Sequence, residues 1–280
     1  MTYGNFYQEQ ARRARELNKE ENAVKLLLLG FSGMTATELY INYQKPIPDE
    51  VRIKTLEAIE KYLHENIPVQ YLLGYTHFFG LKLSVRKGVL IPRPETEELV
   101  ERVLAEIQGR EAPRIIDIGT GSGAIALAIK KHRSDALVTA TDISPVALEV
   151  AMENAGNLGL DISFLESDLF EKVTGKYHVL VSNPPYIGFD EEIDPLVSEN
   201  EPSLALYAPD GGLGLYKEIL CRARDVLFES NLIAFEIPEN KGELPLALAK
   251  EHFPEGEMEI VNDLNGLPRI LLIRNNWRKQ

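Results

Sequence analysis

Apolar residues recur at helical spacing through the first quarter of the chain. Tyr7 to Lys19 is rich in Ala, Arg, Glu and Leu, and Ala23 to Leu29 adds a second apolar patch. Thr35 to Tyr40 opens with a capping signature, a Thr followed three places later by Glu38. Beyond Pro48, Val51, Leu56, Ile59 and Leu63 trace one face of a helix over Asp49 to Asn66. The pattern predicts a small helical domain over residues 1–70. It holds no catalytic motif, and reads equally well as a structural cap or as a module that docks a partner. The period then changes. Val69 to Gly74 leads into His77 to Val85, where aromatics, alternation and turn glycines predict a β-hairpin. We assign residues 71–92 to a hairpin linker and residues 93–280 to the catalytic domain. Ile91-Pro92-Arg93-Pro94-Glu95-Thr96-Glu97 introduces a helix from Glu97 to Gln108, with Pro94 and neighbouring acids suited to a first turn.

From residue 114 short apolar runs alternate with helical patterns. Strands are expected at Arg114–Ile118, Ala136–Thr141, Ile162–Glu166, Tyr177–Ser182, Asn231–Ile237, Glu257–Val261 and Pro268–Ile273. Helices are expected at Gly123–Lys131, Pro145–Leu158 and Tyr216–Phe228. Such alternation predicts an α/β fold with a mostly parallel sheet covered on both faces.

Composition narrows the classes. The 280 residues are 44% hydrophobic and 26% charged, which is ordinary for a globular chain. The single cysteine, Cys221, excludes an intrachain disulfide and a thiolate zinc site, and no metal is expected. The N-terminus lacks the basic and apolar regions of a signal peptide, and Val24 to Leu29 is too short to cross a bilayer. We expect a cytoplasmic protein that does not contact membrane. Its net charge of −13 is uneven: residues 114–280 hold 15 Lys+Arg against 27 Asp+Glu. Acidity of this kind argues against naked nucleic acid as the substrate, since phosphate contacts dominate that affinity.

Asp117-Ile118-Gly119-Thr120-Gly121-Ser122-Gly123 follows a strand and opens a helix. Glycines there let the backbone approach a ligand at the carboxyl end of the sheet. Asp142, at the end of the next strand, suits the two hydroxyls of a ribose. Together these features point to an adenosine-containing ligand, either a dinucleotide or S-adenosylmethionine. Asp117 favours the latter, because a carboxylate suits a cationic amino group better than a pyrophosphate. After the third strand, Asp168 is placed to accept from an adenine amine, with Leu169 or Phe170 covering the ring.

The decisive residues are Ser182-Asn183-Pro184-Pro185-Tyr186, directly after the fourth strand. A planar amide nitrogen is a poor nucleophile and must be held and turned toward the methyl donor. Two acceptors do this by taking its two N–H hydrogens: the Asn183 side-chain oxygen and the Pro184 carbonyl. The prolines fix φ and remove competing donors, and Asn183, preceding a proline, is pushed to an extended conformation. Tyr186 offers an aromatic face for a planar group.

On Ile91 to Glu97, Asp117 to Gly123, Ser182 to Ile187, Asn200-Glu201-Pro202-Ser203-Leu204-Ala205-Leu206 and Asp210-Gly211-Gly212, the chain resembles the HemK/PrmC family of protein-(glutamine-N5) methyltransferases. The first and fourth motifs are the specific ones; the Asn-Pro-Pro-Tyr tetrad is shared with DNA amino-methyltransferases. The resemblance implies a helical N-terminal domain, a hairpin linker and a Rossmann-like seven-stranded methyltransferase domain with an antiparallel last strand. It implies S-adenosylmethionine as cofactor, S-adenosylhomocysteine as product, and the Gly-Gly-Gln glutamine of peptide chain release factors as substrate. It implies that Gly119 to Gly123, Asp142, Leu169 and Asn183 line the cofactor, that Asn183 to Tyr186 receive the glutamine, and that Arg93 lies near the entrance. The chain departs from the family at Phe235-Glu236-Ile237-Pro238-Glu239-Asn240, where an Ile-Gly step and a Gln are common. A monomer is expected. The competing substrates are a glutamine of a ribosomal protein and a DNA base. A binding protein that keeps the fold without catalysis is the reading from another class, and the intact tetrad and Asp142 speak against it.

Overall fold

Local sequence signals set the helix ends in the first unit. In this computed structural model, which describes residues 1–263 and 265–278, α1 (Tyr3–Glu16) begins where the Thr2 hydroxyl accepts from the Asn5 N–H. It is followed by α2 (Glu21–Ser32), α3 (Ala36–Ile41), α4 (Asp49–Glu65) and α5 (Val69–Leu73). At α3 the capping box is complete: Thr35 Oγ1 accepts from the Glu38 N–H at 3.2 Å, and Glu38 Oε2 accepts from the Thr35 N–H at 2.8 Å. Phe6, Val24, Leu27, Leu28, Ile59 and Leu63 close a separate apolar core. By their contacts, residues Met1–Tyr75 and Ile193–Asn200 make up this unit.

The second unit comprises Thr76–Glu192 and Glu201–Gln280. Strands β1 (Tyr75–Phe78) and β2 (Leu81–Ser84) form a two-stranded sheet. Their turn residues Phe79 and Gly80 both have positive φ, 48° and 75°, the geometry that matches hairpin twist. The hairpin is narrower than residues 71–92, because α5 takes up Val69–Leu73. It also belongs with the larger unit: Phe78, Leu81 and Leu83 are buried in that unit's core beside Leu99 and Val103. Of the residues assigned to the catalytic domain, 264, 279 and 280 lie outside the described residues.

The main sheet is built in chain order from β3 (Arg114–Ile118), β4 (Leu137–Asp142), β5 (Ser163–Glu166), β6 (Tyr177–Ser182), β7 (Leu227–Glu236), β8 (Glu257–Asn262) and β9 (Pro268–Asn275). Its spatial order is β5-β4-β3-β6-β7-β9-β8. The strands are parallel except β9, which runs antiparallel to both neighbours. This is the seven-stranded Rossmann-like sheet with an antiparallel last strand. Alternate residues face opposite layers. Ile115, Val179, Val181 and Leu232 pack beneath α6 (Thr96–Glu106) and α7 (Ala124–His132), whereas Ile116, Leu180, Ile233 and Phe235 pack with α12 (Gly214–Val226) and α13 (Glu243–His252) on the other face. Burial on both faces explains the uninterrupted apolar runs. Each fully buried Ile or Leu contributes about 1.5–3 kcal/mol.

The other elements are α8 (Pro145–Leu158), the one-turn segments α9 (Pro195–Ser198), α10 (Ser203–Leu206) and α11 (Pro209–Gly212), then α12 (Gly214–Val226) and α13 (Glu243–His252). Helix α12 stops two residues before the expected Phe228, because the apolar Leu227 already pairs with Tyr177 as the first residue of β7.

Candidate active site

Parallel strands deliver their carboxyl ends to one edge of the sheet. Chain order reverses between β3 and β6, and that is where a crevice opens in an open α/β sheet. A cavity of about 230 Å³ lies there, lined by loops after β3, β4, β5 and β6 and by Arg93 and Thr96 from the segment entering α6.

The glycine loop is shaped by positive φ at Gly119 (71°), Gly121 (57°) and Gly123 (83°). Their roles differ. A Cβ on Gly119 or Gly121 would meet nothing within 4 Å, so these glycines leave open space on the cavity wall. A Cβ on Gly123 would come within 2.9 Å of Leu127 and 3.2 Å of Ala151, so this one serves helix packing. Thr120 and Ser122 line the cavity between them.

Asp142 also lines the cavity. Its two oxygens accept from the Gly121 N–H at 2.8 Å and the Ser144 N–H at 2.9 Å, which aims the carboxylate while leaving lone pairs free. Burial lifts its pKa above the usual carboxylate range. Asp117 is fully buried behind the loop. One oxygen accepts from the Thr120 hydroxyl at 2.6 Å, while Oδ1 has no hydrogen-bond partner among the described residues. Burial raises this carboxyl to about 7, with the Asp142 charge adding to the effect. Thr141 Oγ1, on the cavity wall, is likewise buried without a partner. Open glycine faces, the aimed Asp142 carboxylate and the orphaned Thr141 oxygen fit a polar adenosine ligand, and Asp117, outside the cavity lining, places a carboxyl behind the loop.

After β5, Asp168 is exposed at the cavity and Leu169 lines it with φ 44°. Phe170 turns the other way. It is buried in the sheet core, with the Arg222 guanidinium 5.8 Å from its ring centre, so Leu169 rather than Phe170 is the apolar contact offered to a ligand.

After β6, Asn183, Pro184 and Pro185 line the cavity. The Ser182 hydroxyl donates to the Ile118 carbonyl at 2.6 Å and ties this strand end to the glycine loop. Asn183 Nδ2 donates to the Thr96 hydroxyl at 3.2 Å, and Thr96 donates to the Glu236 carboxylate at 2.6 Å. Glu236 is buried, and burial raises it to about 7 against the opposing pull of Thr96 and Arg269. Tyr186 stands outside the cavity lining, beside Glu236, Arg269, Arg93 and Glu95. Burial lifts its phenol to about 12, so it stays protonated.

Arg93 lines the cavity and is paired with Glu201 at 2.5 Å, whose other oxygen accepts from the Ile91 N–H at 3.0 Å. Asp190, Glu191, Glu192, Asp194, Glu199 and Glu201 form an acidic run after the tetrad, yet Glu201 is only 5% exposed and ties Ile91 and Arg93 to the segment that begins at Asn200. Thr96, Glu201 and Glu236 are among the residues of the site that sequence reasoning missed, as is Thr141. Two of them lay inside quoted motifs; their partners, 108 and 140 residues away, had no local signature.

Comparison with known proteins supplies independent findings. Residues 8–74 match the family described as "PrmC N-terminal domain", and residues 96–199 match "Methyltransferase small domain". The chain is 38% identical over 273 residues to a release factor glutamine methyltransferase of Streptococcus pneumoniae, covering 97% of this chain and 96% of that protein. It is 40% identical over 237 residues to one of Lactococcus lactis, covering 84% and 87%. Among solved structures, a methyltransferase from Pyrococcus furiosus superposes with a TM-score of 0.53 at 18% identity, over 70% of this chain and 90% of that one, a likeness of fold.

Proposed function

We propose a route for methyl transfer that starts from one fact: the chain belongs to the release factor glutamine methyltransferase family. It is a protein-(glutamine-N5) methyltransferase that uses S-adenosylmethionine. In our reading the accepting group is the glutamine of the Gly-Gly-Gln motif of a peptide chain release factor. The observation that carries the site assignment is the junction at the β3/β6 reversal, where Asn183 and the glycine loop line one cavity.

S-adenosylmethionine, when bound, supplies a methyl group on a sulfonium. The chain's residues do the rest. Asp142 would accept from the ribose hydroxyls, Asp117, buried behind the glycine loop and outside the cavity lining, would supply negative charge toward the cationic amino group, and Gly119 to Gly123, with Thr120 and Ser122, leave room for the ligand along the wall. Asp168 and Leu169 bracket the adenine, and Phe170 backs Leu169 from the core. Asn183 Oδ1 and the Pro184 carbonyl take the two N–H hydrogens of the substrate amide and aim its nitrogen at the methyl carbon. Pro184 and Pro185 stiffen this acceptor segment. Tyr186 has no acid–base part, because its phenol does not ionise near neutral pH. Methyl transfer would form the N–C bond at the expense of the donor's C–S bond, and the extra proton on nitrogen would leave for water. Orientation is the main contribution, and well-oriented reactants gain up to about 7–11 kcal/mol. Arg93, fixed by Glu201, borders the entrance.

The enzyme is expected to act as a monomer in the cytoplasm, on protein rather than nucleic acid. Among the described residues no helix is long and apolar enough to cross a membrane. Substitution Asn183→Ala is expected to cut turnover about a hundredfold or more while calorimetry finds S-adenosylmethionine binding retained. Undiminished turnover in that variant contradicts the assignment.

A further inference from the structure

The Asn183 side chain works as an acceptor only if its amide is turned one way. An asparagine presents an oxygen on one side and an NH2 on the other, and the two differ little in shape. Facing the substrate with NH2 would set donor against donor. Something must therefore select the orientation.

The sheet register supplies the selector. Ser182 pairs with Phe235, so the next residues on the adjacent parallel strands, Asn183 and Glu236, emerge side by side. Thr96, at the start of α6, is 4% exposed and hydrogen-bonds to both, while the Asn183 amide also interacts directly with the Glu236 carboxylate. A hydroxyl carries one hydrogen. Thr96 spends it on Glu236 Oε2 at 2.6 Å, which leaves only lone pairs toward Asn183. The group at 3.2 Å from Thr96 Oγ1 is accordingly the Asn183 NH2. Flipping the amide would set its oxygen against those lone pairs in a buried, low-dielectric place.

We propose that Glu236 and Thr96 are positioning residues for methyl transfer: the carboxylate sets the direction of the Thr96 hydroxyl, the hydroxyl holds the Asn183 NH2, and Asn183 Oδ1 is thereby left toward the substrate amide. The inference rests on the reading of Asn183 as the amide acceptor. The charged groups around the relay are consistent with it. Arg269 on β9 favours the carboxylate form of Glu236, against Glu95 before α6. Tyr186 and Tyr216 also face Glu236; the Tyr216 hydroxyl donates to the Glu236 backbone carbonyl at 2.7 Å, leaving the side chain to the relay. Neither Thr96 nor Glu236 needs to touch a reacting atom for this role.

The test uses full-length enzyme and a purified release factor at about pH 8, where Glu236 is mostly ionised. Thr96→Val keeps the shape and removes the hydroxyl; Thr96→Ser keeps the hydroxyl. The expected result for Thr96→Val is a kcat lowered about tenfold or more, with release-factor KM and the S-adenosylmethionine Kd within about twofold. Thr96→Ser should return most of the rate. Glu236→Leu should lower kcat as Thr96→Val does, and Glu236→Gln, whose amide oxygen still accepts from Thr96, should retain most of it. This pair decides the matter if the valine variant does not fold. Wild-type kcat in Thr96→Val or Glu236→Leu overturns the relay while leaving Asn183 as the acceptor. Equal losses in Glu236→Leu and Glu236→Gln also overturn it. Wild-type turnover in Asn183→Ala removes the acceptor reading and the relay together.

Discussion

Asp117 carries the sharpest residue-scale consequence. Its carboxyl is buried, raised to about 7, and has one oxygen without a partner. A pKa higher in the folded than in the unfolded state means that folding binds the proton. Stability from this group is full below the ordinary carboxylate value and is lost as pH rises from about 4 to about 7. Asp117→Asn should therefore be more stable than the parent without cofactor at neutral pH, by an amount on the order of a few kcal/mol. The gap should close toward about pH 4. Thermal melts across pH check this, and a gap that widens on acidification contradicts it. The same variant should lose most of its affinity for S-adenosylmethionine, because the cationic amino group loses its counter-charge. Asp117 was legible in the sequence through its place before the glycines. Its burial and orphaned oxygen were not, since they arise from packing among β3, β4 and α7.

At the scale of elements, the tetrad loop shows why a glycine motif has chemical weight. Gly212 has φ 93°, and a Cβ there would sit 2.0 Å from the Tyr186 carbonyl oxygen. The strand-like pairing of Ile187 with Leu206 and Ala208 presses these segments together. Gly212→Ala must displace the backbone just after Pro185. It should lower turnover about tenfold or more with cofactor affinity nearly unchanged. Parent-like kinetics would show that the close approach does not position the tetrad. A second element, α3, exposes Tyr40 (81%) and Ile41 (69%) in the helical unit. If that unit docks the release factor, Tyr40→Asp should raise KM several-fold at unchanged kcat; an unchanged KM takes this face out of docking. The strands were readable because burial on both faces leaves plain apolar runs, as in Ile115-Ile116 and Val179-Leu180-Val181. The capping box at Thr35 was readable because it is local. Helix α13 and the one-turn segments α9–α11 were not. Pro245 interrupts the helical signal of α13, and the short turns are set by contacts such as Asp194 with the Leu196 N–H rather than by periodicity.

For the whole molecule, the sheet gathers residues far apart in sequence at one edge: Gly119, Asp142, Leu169, Asn183 and Glu236 each end or follow a different parallel strand. Motif order disclosed most of that list. The pairing of Glu236 with Thr96, 140 residues apart, needed the fold. The net charge of −13 fits a protein substrate better than a nucleic acid, since an acidic surface repels phosphate. In the proposed function one glutamine amide of a release factor receives the methyl group. This is tested most directly by offering methyl-labelled S-adenosylmethionine and the enzyme a purified release factor, beside the same factor with its Gly-Gly-Gln glutamine replaced by alanine. Label is expected on the first and none on the second. Equal label on both, or label on neither while the enzyme binds the cofactor, would contradict it.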